Sequence, residues 1–403
     1  MSMSERNSDM GGWNSLRWDR WLVAGVVLLL LGAVAVPQAF VKRSEPQGQP
    51  IVDIPATRPS RAGEYRGITL QLHASDPKVP FEKFVEEIAR TGANTICLSV
   101  AAYQENASSS SLFIESRKAP TRERTVQLIQ LARERGLRVV VMPIVLLENA
   151  RGGEWRGLIV PPDPNRWWED YENYILHYAR IAQEGGAEVL MVGSELVQLE
   201  KETTRWRALI GKARKAFAGK LSYSANWDHY EGIEWWRDLD LVGMTVYYDL
   251  VGDKEPSLDV LLAAWRPIRK DVLAWRSKIN MPILFTEVGW PSQEGCAKAP
   301  WNYVASRKAD VNTQDLCFQA FFRTWAGGPG VAGVLIWEWR NQEYQTGGPE
   351  DVSYIPIGKP AMATIQRYFQ APDAVEQAKG SPAPDAPAQE PAVALPDPGK
   401  GQG

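Results

Sequence analysis

Two glutamates sit where a carboxylate is expensive. Glu195 follows Val189-Leu190-Met191-Val192-Gly193-Ser194, and Glu287 follows Ile283-Leu284-Phe285-Thr286. A carboxylate closing an apolar, buried run costs free energy unless it is paired, hydrogen-bonded or put to use. One such residue is accounted for by a salt bridge to an arginine from a neighbouring loop. Two of them, ending separate buried runs, suit a reaction needing one carboxyl as acid/base and another as nucleophile. Hydrolysis of a glycosidic bond with retention is such a reaction, and it needs the two carboxyls about 5 Å apart. The acid/base then requires an apolar setting that raises its pKa. The nucleophile must stay ionised, held by donors such as a tyrosine.

The elements that would position this pair are legible as eight short apolar runs: Gly67–His73, Asn94–Val100, Leu137–Val145, Glu188–Leu196, Lys220–Trp227, Leu239–Tyr248, Pro282–Trp290 and Val331–Trp339. Amphipathic segments lie between most of them, among them Phe81–Thr91, Thr121–Arg135, Trp167–Glu184, Thr203–Phe217, Ser257–Ile279 and Asn312–Trp325. Gly92, Gly136 and Gly185 are placed to cap helices in left-handed conformation. Near-continuous apolar strands indicate a parallel sheet covered on both faces. A doubly wound sheet and a barrel both satisfy that, and the count of eight favours an α/β fold of the (β/α)8 TIM barrel type. In that architecture catalytic residues gather at the C-terminal strand ends, and strands 4 and 7 face each other across the mouth.

Other polar and aromatic residues fall at the same ends. His73 closes strand 1 and is placed to bond a sugar hydroxyl. Trp155 and Arg156 lie in the loop after strand 3, as ligand contacts or as pins for that loop. Asn226 ends strand 5, facing the mouth or capping the next helix. Of Tyr247 and Tyr248, alternation sends only one inward, and Tyr247 is the favoured partner of Glu287. Trp337 and Trp339 share a face, and one of them, Trp337 by preference, floors a subsite. Glu338 then points the other way, as a structural ion-pair partner. His177 and His229 read as structural or peripheral, and Trp206, Trp265 and Trp275 as packing residues.

Composition narrows the classes. The 403 residues carry 45 basic and 48 acidic side chains, a net charge of −3, which argues against a nucleic-acid binder. Three histidines leave little for a His-rich metal centre, and the proposed chemistry needs no metal or organic cofactor. Cys97, Cys296 and Cys317 are too few for a disulfide scaffold. Cys97 reads as a buried small hydrophobe, and Cys296 and Cys317 are able to pair if the domain is exported. Seventeen tryptophans suggest either a Trp-rich core or platforms for sugar rings.

The ends of the chain differ from its middle. Residues 1–20 form a flank. Residues 21–41 are almost wholly apolar, with basic residues on both sides, and are expected to be a transmembrane or signal-anchor helix. Cleavage as a signal peptide is the alternative; either reading places the rest outside the cytoplasm, at the cell envelope or secreted. Residues 42–62 read as a linker, 63–372 as the catalytic barrel, and 373–403 as a Pro/Ala-rich disordered tail.

These residues resemble a known family. An acid/base glutamate on strand 4 and a nucleophile on strand 7 are similar to clan A of the glycoside hydrolases. More closely, the chain resembles glycoside hydrolase family 113, whose known members are mainly β-1,4-mannanases. The resemblance is carried by Glu154-Trp155-Arg156-Gly157, Tyr171 to Ala179, Gly193-Ser194-Glu195-Leu196 and Arg205-Trp206-Arg207, then by Ser224 to Asp228, Phe285 to Trp290 and Pro300-Trp301. It covers roughly residues 65–370. It implies that Glu195 is the acid/base, that Glu287 is the nucleophile, and that Trp155, Asn226, Tyr247 and Trp337 line sugar subsites on a polysaccharide or oligosaccharide substrate. Many clan A enzymes carry Asn just before the acid/base, bonding the sugar 2-OH. Here that position is Ser194, and Asn226 is the substitute. The rival readings are a carbohydrate-binding barrel without catalysis and an assembly scaffold.

Overall fold

The computed structural model describes residues 63–73 and 78–371. The expected membrane helix 21–41, the linker 42–62 and the tail 373–403 lie outside the described residues. Among the described residues no helix is long and apolar enough to cross a membrane.

Eight strands close into one parallel barrel in sequence order. They are β1 (Tyr65–Gln71), β2 (Thr95–Gln104), β3 (Arg138–Leu147), β4 (Val189–Ser194), β5 (Lys220–Ala225), β6 (Val242–Thr245), β7 (Ile283–Val288) and β8 (Val331–Ile336). Pairing of β1 with β8, Tyr65 opposite Gly333 through Ile68 opposite Ile336, closes the ring and excludes a doubly wound sheet.

Among the described residues seven helices pack outside: α1 (Phe81–Ala89), α2 (Arg122–Glu134), α3 (Pro164–Gly185), α4 (Thr203–Ala216), α5 (Leu258–Ile279), α6 (Val311–Trp325) and α7 (Pro360–Gln370). Between β5 and β6 the chain makes only two short 3₁₀ turns, at Tyr230–Gly232 and Trp236–Asp238. Gly92 and Gly136 take the expected left-handed conformation. After α3 that role belongs to Gly186 (φ 76°), whereas Gly185 is the last helical residue.

The strands are apolar on both faces because both are covered. Inward side chains such as Cys97, Val140, Met142, Val189, Met191, Leu284 and Leu335 fill the barrel. The outward ones meet the helices in a larger core. Eight tryptophans are among the largest fully buried side chains, Trp206 and Trp265 included. For these the packing reading of the tryptophan excess is correct. Cys97, Cys296 and Cys317 are buried and unbridged, with the thiols of Cys296 and Cys317 facing each other.

The two ends of the barrel have different jobs. At the N-terminal end, Arg138 forks onto Glu188 at 2.8 and 2.6 Å, the Tyr65 hydroxyl donates to the same carboxylate at 2.6 Å, and the guanidinium lies 3.4 Å from the Tyr65 ring centroid. This ties β1, β3 and the residue before β4 far from any strand C-terminus. One register shift lies at the start of β7, between Ile283 and Leu284, and three lie toward the other end. Register shifts fall between Met191 and Ser194, between Met244 and Thr245, and between Phe285 and Val288, at the ends of β4, β6 and β7. Such bulges re-aim side chains at the rim of a sheet. Arg138→Met is therefore expected to lower stability by about 1–3 kcal/mol. Denaturant unfolding measures that loss, and the rate of any reaction at the opposite mouth is expected to be unchanged at 25 °C.

Candidate active site

Glu195 lies one residue beyond β4 and turns back over the barrel with a φ of 52°, in the left-handed region that non-glycine residues rarely occupy. Two neighbours hold it there: its own N–H donates to the Ser224 carbonyl at 2.8 Å, and the next N–H, of Leu196, donates to the Tyr223 hydroxyl at 2.7 Å. Just before it, Gly193 lets β4 approach α3 closely. A Cβ at Gly193 would come within 2.3 Å of the Tyr171 hydroxyl. Glu287 lies within β7, two per cent exposed, and the bulge between Phe285 and Val288 sets its direction.

One guanidinium joins the two carboxylates. Arg156 Nη2 is 2.8 Å from Glu195 Oε2 and 3.9 Å from Glu287 Oε1. Those two oxygens are therefore no more than about 7 Å apart, a bound that admits the ~5 Å of retaining glycosidases and little of the inverting range. Tyr247 donates to the other oxygen, Glu287 Oε2, at 3.0 Å. Glu287 Oε1 is buried without a hydrogen bond. Tyr248 points elsewhere, donating to the Trp227 carbonyl. The Ser194 hydroxyl is close enough to lower the Glu287 pKa but makes no hydrogen bond of good geometry.

Burial pushes the pKa of both carboxyls up. For Glu195, Arg156 and the Thr245 hydroxyl oppose that rise. For Glu287, repulsion from Glu195 adds to it, while Arg156 and Tyr247 pull it down. Two carboxyls so close share protons as a pair. Burial and repulsion from Glu195 push Glu287 up to about 8 against the pull of Arg156 and Tyr247, so the pair divides one proton between an acid and a carboxylate. That division suits a nucleophile and an acid.

The remaining expected residues fall into two groups. His73 is enclosed beside Arg156, its Nε2 unpartnered; burial and the charges of Arg156 and Lys118 lower its pKa to about 4, so the ring is neutral. Asn226 reaches the site through Thr245, whose single hydroxyl proton turns either weakly to Asn226 Oδ1 at 3.5 Å or to Glu195. Its amide donates to Asp228 at 2.6 Å, and it caps no helix. Trp337 is half-buried and packs on the residues that fill the barrel. Trp155 is half-buried and folds over Gly157. Arg156, expected only as a ligand contact or loop pin, is the link between the carboxylates.

Two expectations about strand 8 need correction. Trp339 shares no face with Trp337: it is one per cent exposed and donates to Glu87 on α1 at 3.1 Å. Glu338 has no ion pair among the described residues. It accepts from Gln71 at the end of β1, and its carboxyl is enclosed near Glu287. The reason is local. Regular β8 ends at Ile336, so strict alternation no longer governs residues 337–339. Tyr354, in the loop before α7, was not foreseen. It is buried against Tyr247 with ring centroids 6.3 Å apart, and it hydrogen-bonds the Pro300 carbonyl. No sequence signal marks it. Thr245 did have one, being two residues from Tyr247 on the same face.

Among the described residues no cluster of three or more His, Cys, Asp or Glu side chains could hold a metal. What the mouth provides is a carboxyl pair, a shared cation and a tyrosine donor.

A closed (β/α)8 barrel with that pair at the ends of strands 4 and 7 defines a class, the barrel glycoside hydrolases. The comparisons narrow it further. The model of glycoside hydrolase family 113 matches residues 79–359, and the chain belongs to this family. A solved family 113 β-1,4-mannanase complex is 26% identical over 77% of this chain and all of its own, with a TM-score of 0.69. The family 113 β-mannanase from Alicyclobacillus acidocaldarius, in complex with ManMIm, is 25% identical over 76% of this chain and 97% of its own, with a TM-score of 0.68. A Faecalibacterium prausnitzii β-glucuronidase, at 15% identity, 77% of this chain, 49% of its own and a TM-score of 0.53, shares the fold. No curated protein matches the chain.

Glu338 makes stability depend on pH. Burial, then repulsion from Glu287, raises its pKa to about 8. A carboxyl whose folded pKa exceeds its unfolded value stabilises below the unfolded value, near 4.5, and that stabilisation is lost as pH rises through about 8. Glu338→Gln removes this contribution. Between pH 5 and pH 9 the wild type is expected to lose about 2–4 kcal/mol more than the variant. Urea unfolding at the two pH values checks it, and parallel pH dependence would contradict it.

Proposed function

We propose that this chain is a retaining β-glycosidase acting on β-1,4-mannan or manno-oligosaccharides. Glu287 attacks the anomeric carbon through its unbonded Oε1 while Glu195 protonates the departing glycosidic oxygen. Water, deprotonated by Glu195, then displaces Glu287 from the glycosyl-enzyme. Tyr247 steadies the nucleophile, and Arg156 offsets the charge of two acids held in one enclosed space. His73, Asn226 and Trp337 contact the sugar beside the bond being cut, and Trp155 contributes from the edge of the site. Trp227 and half-exposed Trp301, near-parallel at 18° with centroids 6.4 Å apart, add a shelf outside Asn226 that suits further sugar rings.

The observation that carries the proposal is the single Arg156 nitrogen within 4 Å of both glutamates. The mannan assignment is supported by the solved family 113 relatives, described as β-mannanases. The barrel is placed outside the cytoplasm, presented at the cell envelope by the apolar segment 21–41, or secreted if that segment is cleaved.

The test is release of reducing sugar from β-1,4-mannan and manno-oligosaccharides by residues 63–372. Wild type is expected to release it. Glu287→Gln and Glu195→Ala are expected to lose at least about 100-fold in kcat, with unchanged folding. Near-normal activity of either variant would sink the assignment. Binding without turnover in the wild type would point to a carbohydrate-binding barrel.

A further inference from the structure

A buried carboxyl outside the reaction remains to be explained. Glu200 is seven per cent exposed and, among the described residues, has no cation beside it. Such a group costs more than the apolar side chain that would fill the same space. Its Oε1 accepts from the Tyr223 hydroxyl at 2.8 Å, and that hydroxyl accepts from the Leu196 N–H at 2.7 Å. Tyr223 is wholly buried, its ring against Trp206 and Trp235 at 5.3 and 5.0 Å. Trp235 Nε1 donates to the Glu200 carbonyl at 3.0 Å, and the Glu200 N–H returns to the Leu196 carbonyl at 3.1 Å. The segment 195–200 is thus closed on itself and pinned at both ends.

The pins fall on consecutive residues of one strand. Ser224 of β5 takes the Glu195 N–H through its carbonyl, and Tyr223 takes the Leu196 N–H through its side chain. Between them, Glu195 is held in its left-handed conformation.

We propose that Glu200 and Tyr223 form a positioning relay for the acid/base. Glu200 orients the Tyr223 hydroxyl, the hydroxyl fixes the Leu196 N–H, and Glu195 is thereby kept aimed at the leaving-group oxygen. Neither residue touches the substrate. This rests on the reading of Glu195 as acid/base. A hydroxyl with one proton serves this purpose only if its acceptor is fixed, which accounts for a carboxyl at position 200. The enclosed site raises the Glu200 pKa to about 8, with Glu195 and Asp228 adding repulsion.

The test separates acid delivery from general disruption. It compares kcat/KM on manno-oligosaccharides, whose leaving group needs a proton, with kcat/KM on 2,4-dinitrophenyl β-mannoside, whose leaving group does not. Tyr223→Phe and Glu200→Leu are expected to lose about 10- to 100-fold on the first and stay within about threefold on the second. Glu200→Gln keeps an acceptor oxygen and is expected to restore near-wild-type values on both, which also serves if Tyr223→Phe folds poorly. Equal losses on the two substrates, or a Glu200→Leu variant indistinguishable from wild type, would overturn the relay. If wild type cleaves neither substrate, the mannosidase reading falls, and the relay is decided by the crystal structure of Tyr223→Phe. Glu195 leaving its φ of 52° supports it, and an unmoved Glu195 overturns it.

Discussion

Everything at the mouth of this barrel is organised around keeping two like-charged carboxyls close together and away from water. In an enclosed space of low polarity, two ionised glutamates repel strongly, and each loses the hydration that would stabilise it. The protein offsets this with one guanidinium between them and with separate donors for each: Tyr247 for Glu287, Thr245 for Glu195. Replacing either glutamate with an apolar residue would be cheaper for folding alone. Retaining both is what a double-displacement reaction needs.

The geometry follows from that demand. Parallel strands running straight to their ends would send the side chains of β4 and β7 to fixed, alternating directions. Register shifts near the ends of β4, β6 and β7, together with the left-handed turn at Glu195, redirect the groups that matter. Such a backbone persists only where its surroundings over-determine it. Here the surroundings are the aromatic layer behind β4, where Trp167 stacks on Tyr171 and Trp206 on Trp235. Trp167, Trp168, Trp206 and Trp235 serve as this rigid backing. The opposite end of the barrel is tied instead by Arg138, Glu188 and Tyr65.

Much of this was legible in the residues. Eight strands could be counted because parallel strands covered on both faces leave unbroken apolar runs, and a carboxylate at the end of such a run stands out. Alternation indicated that only one of Tyr247 and Tyr248 turns inward, and hydrogen bonding to Glu287 gives that place to Tyr247. What failed, failed for physical reasons. Alternation holds only while a strand is regular, so Glu338 and Trp339 were misplaced once β8 ended at Ile336. Arg156 sits in a loop whose path no local pattern encodes, so its bridging of both glutamates was invisible. Tyr354 arrives from a long loop with no periodicity at all. The φ of Glu195 depends on two hydrogen bonds from β5, a tertiary fact. Glu200, in the polar stretch Glu200-Lys201-Glu202, carries no sequence signal, and only the Tyr223 hydroxyl beside it gives it meaning.

Which carboxyl becomes covalently attached to the sugar decides the roles of both glutamates. The direct measurement is to inactivate the barrel domain with a 2-deoxy-2-fluoro-β-mannosyl fluoride and map the labelled peptide by mass spectrometry. The fluorine slows hydrolysis of the glycosyl-enzyme, so the intermediate accumulates. A label on Glu287, lost in Glu287→Gln, is the predicted result. A label on Glu195 or Glu338, or time-dependent inactivation with no covalent sugar, would contradict the assignment of nucleophile and acid on which the rest is built.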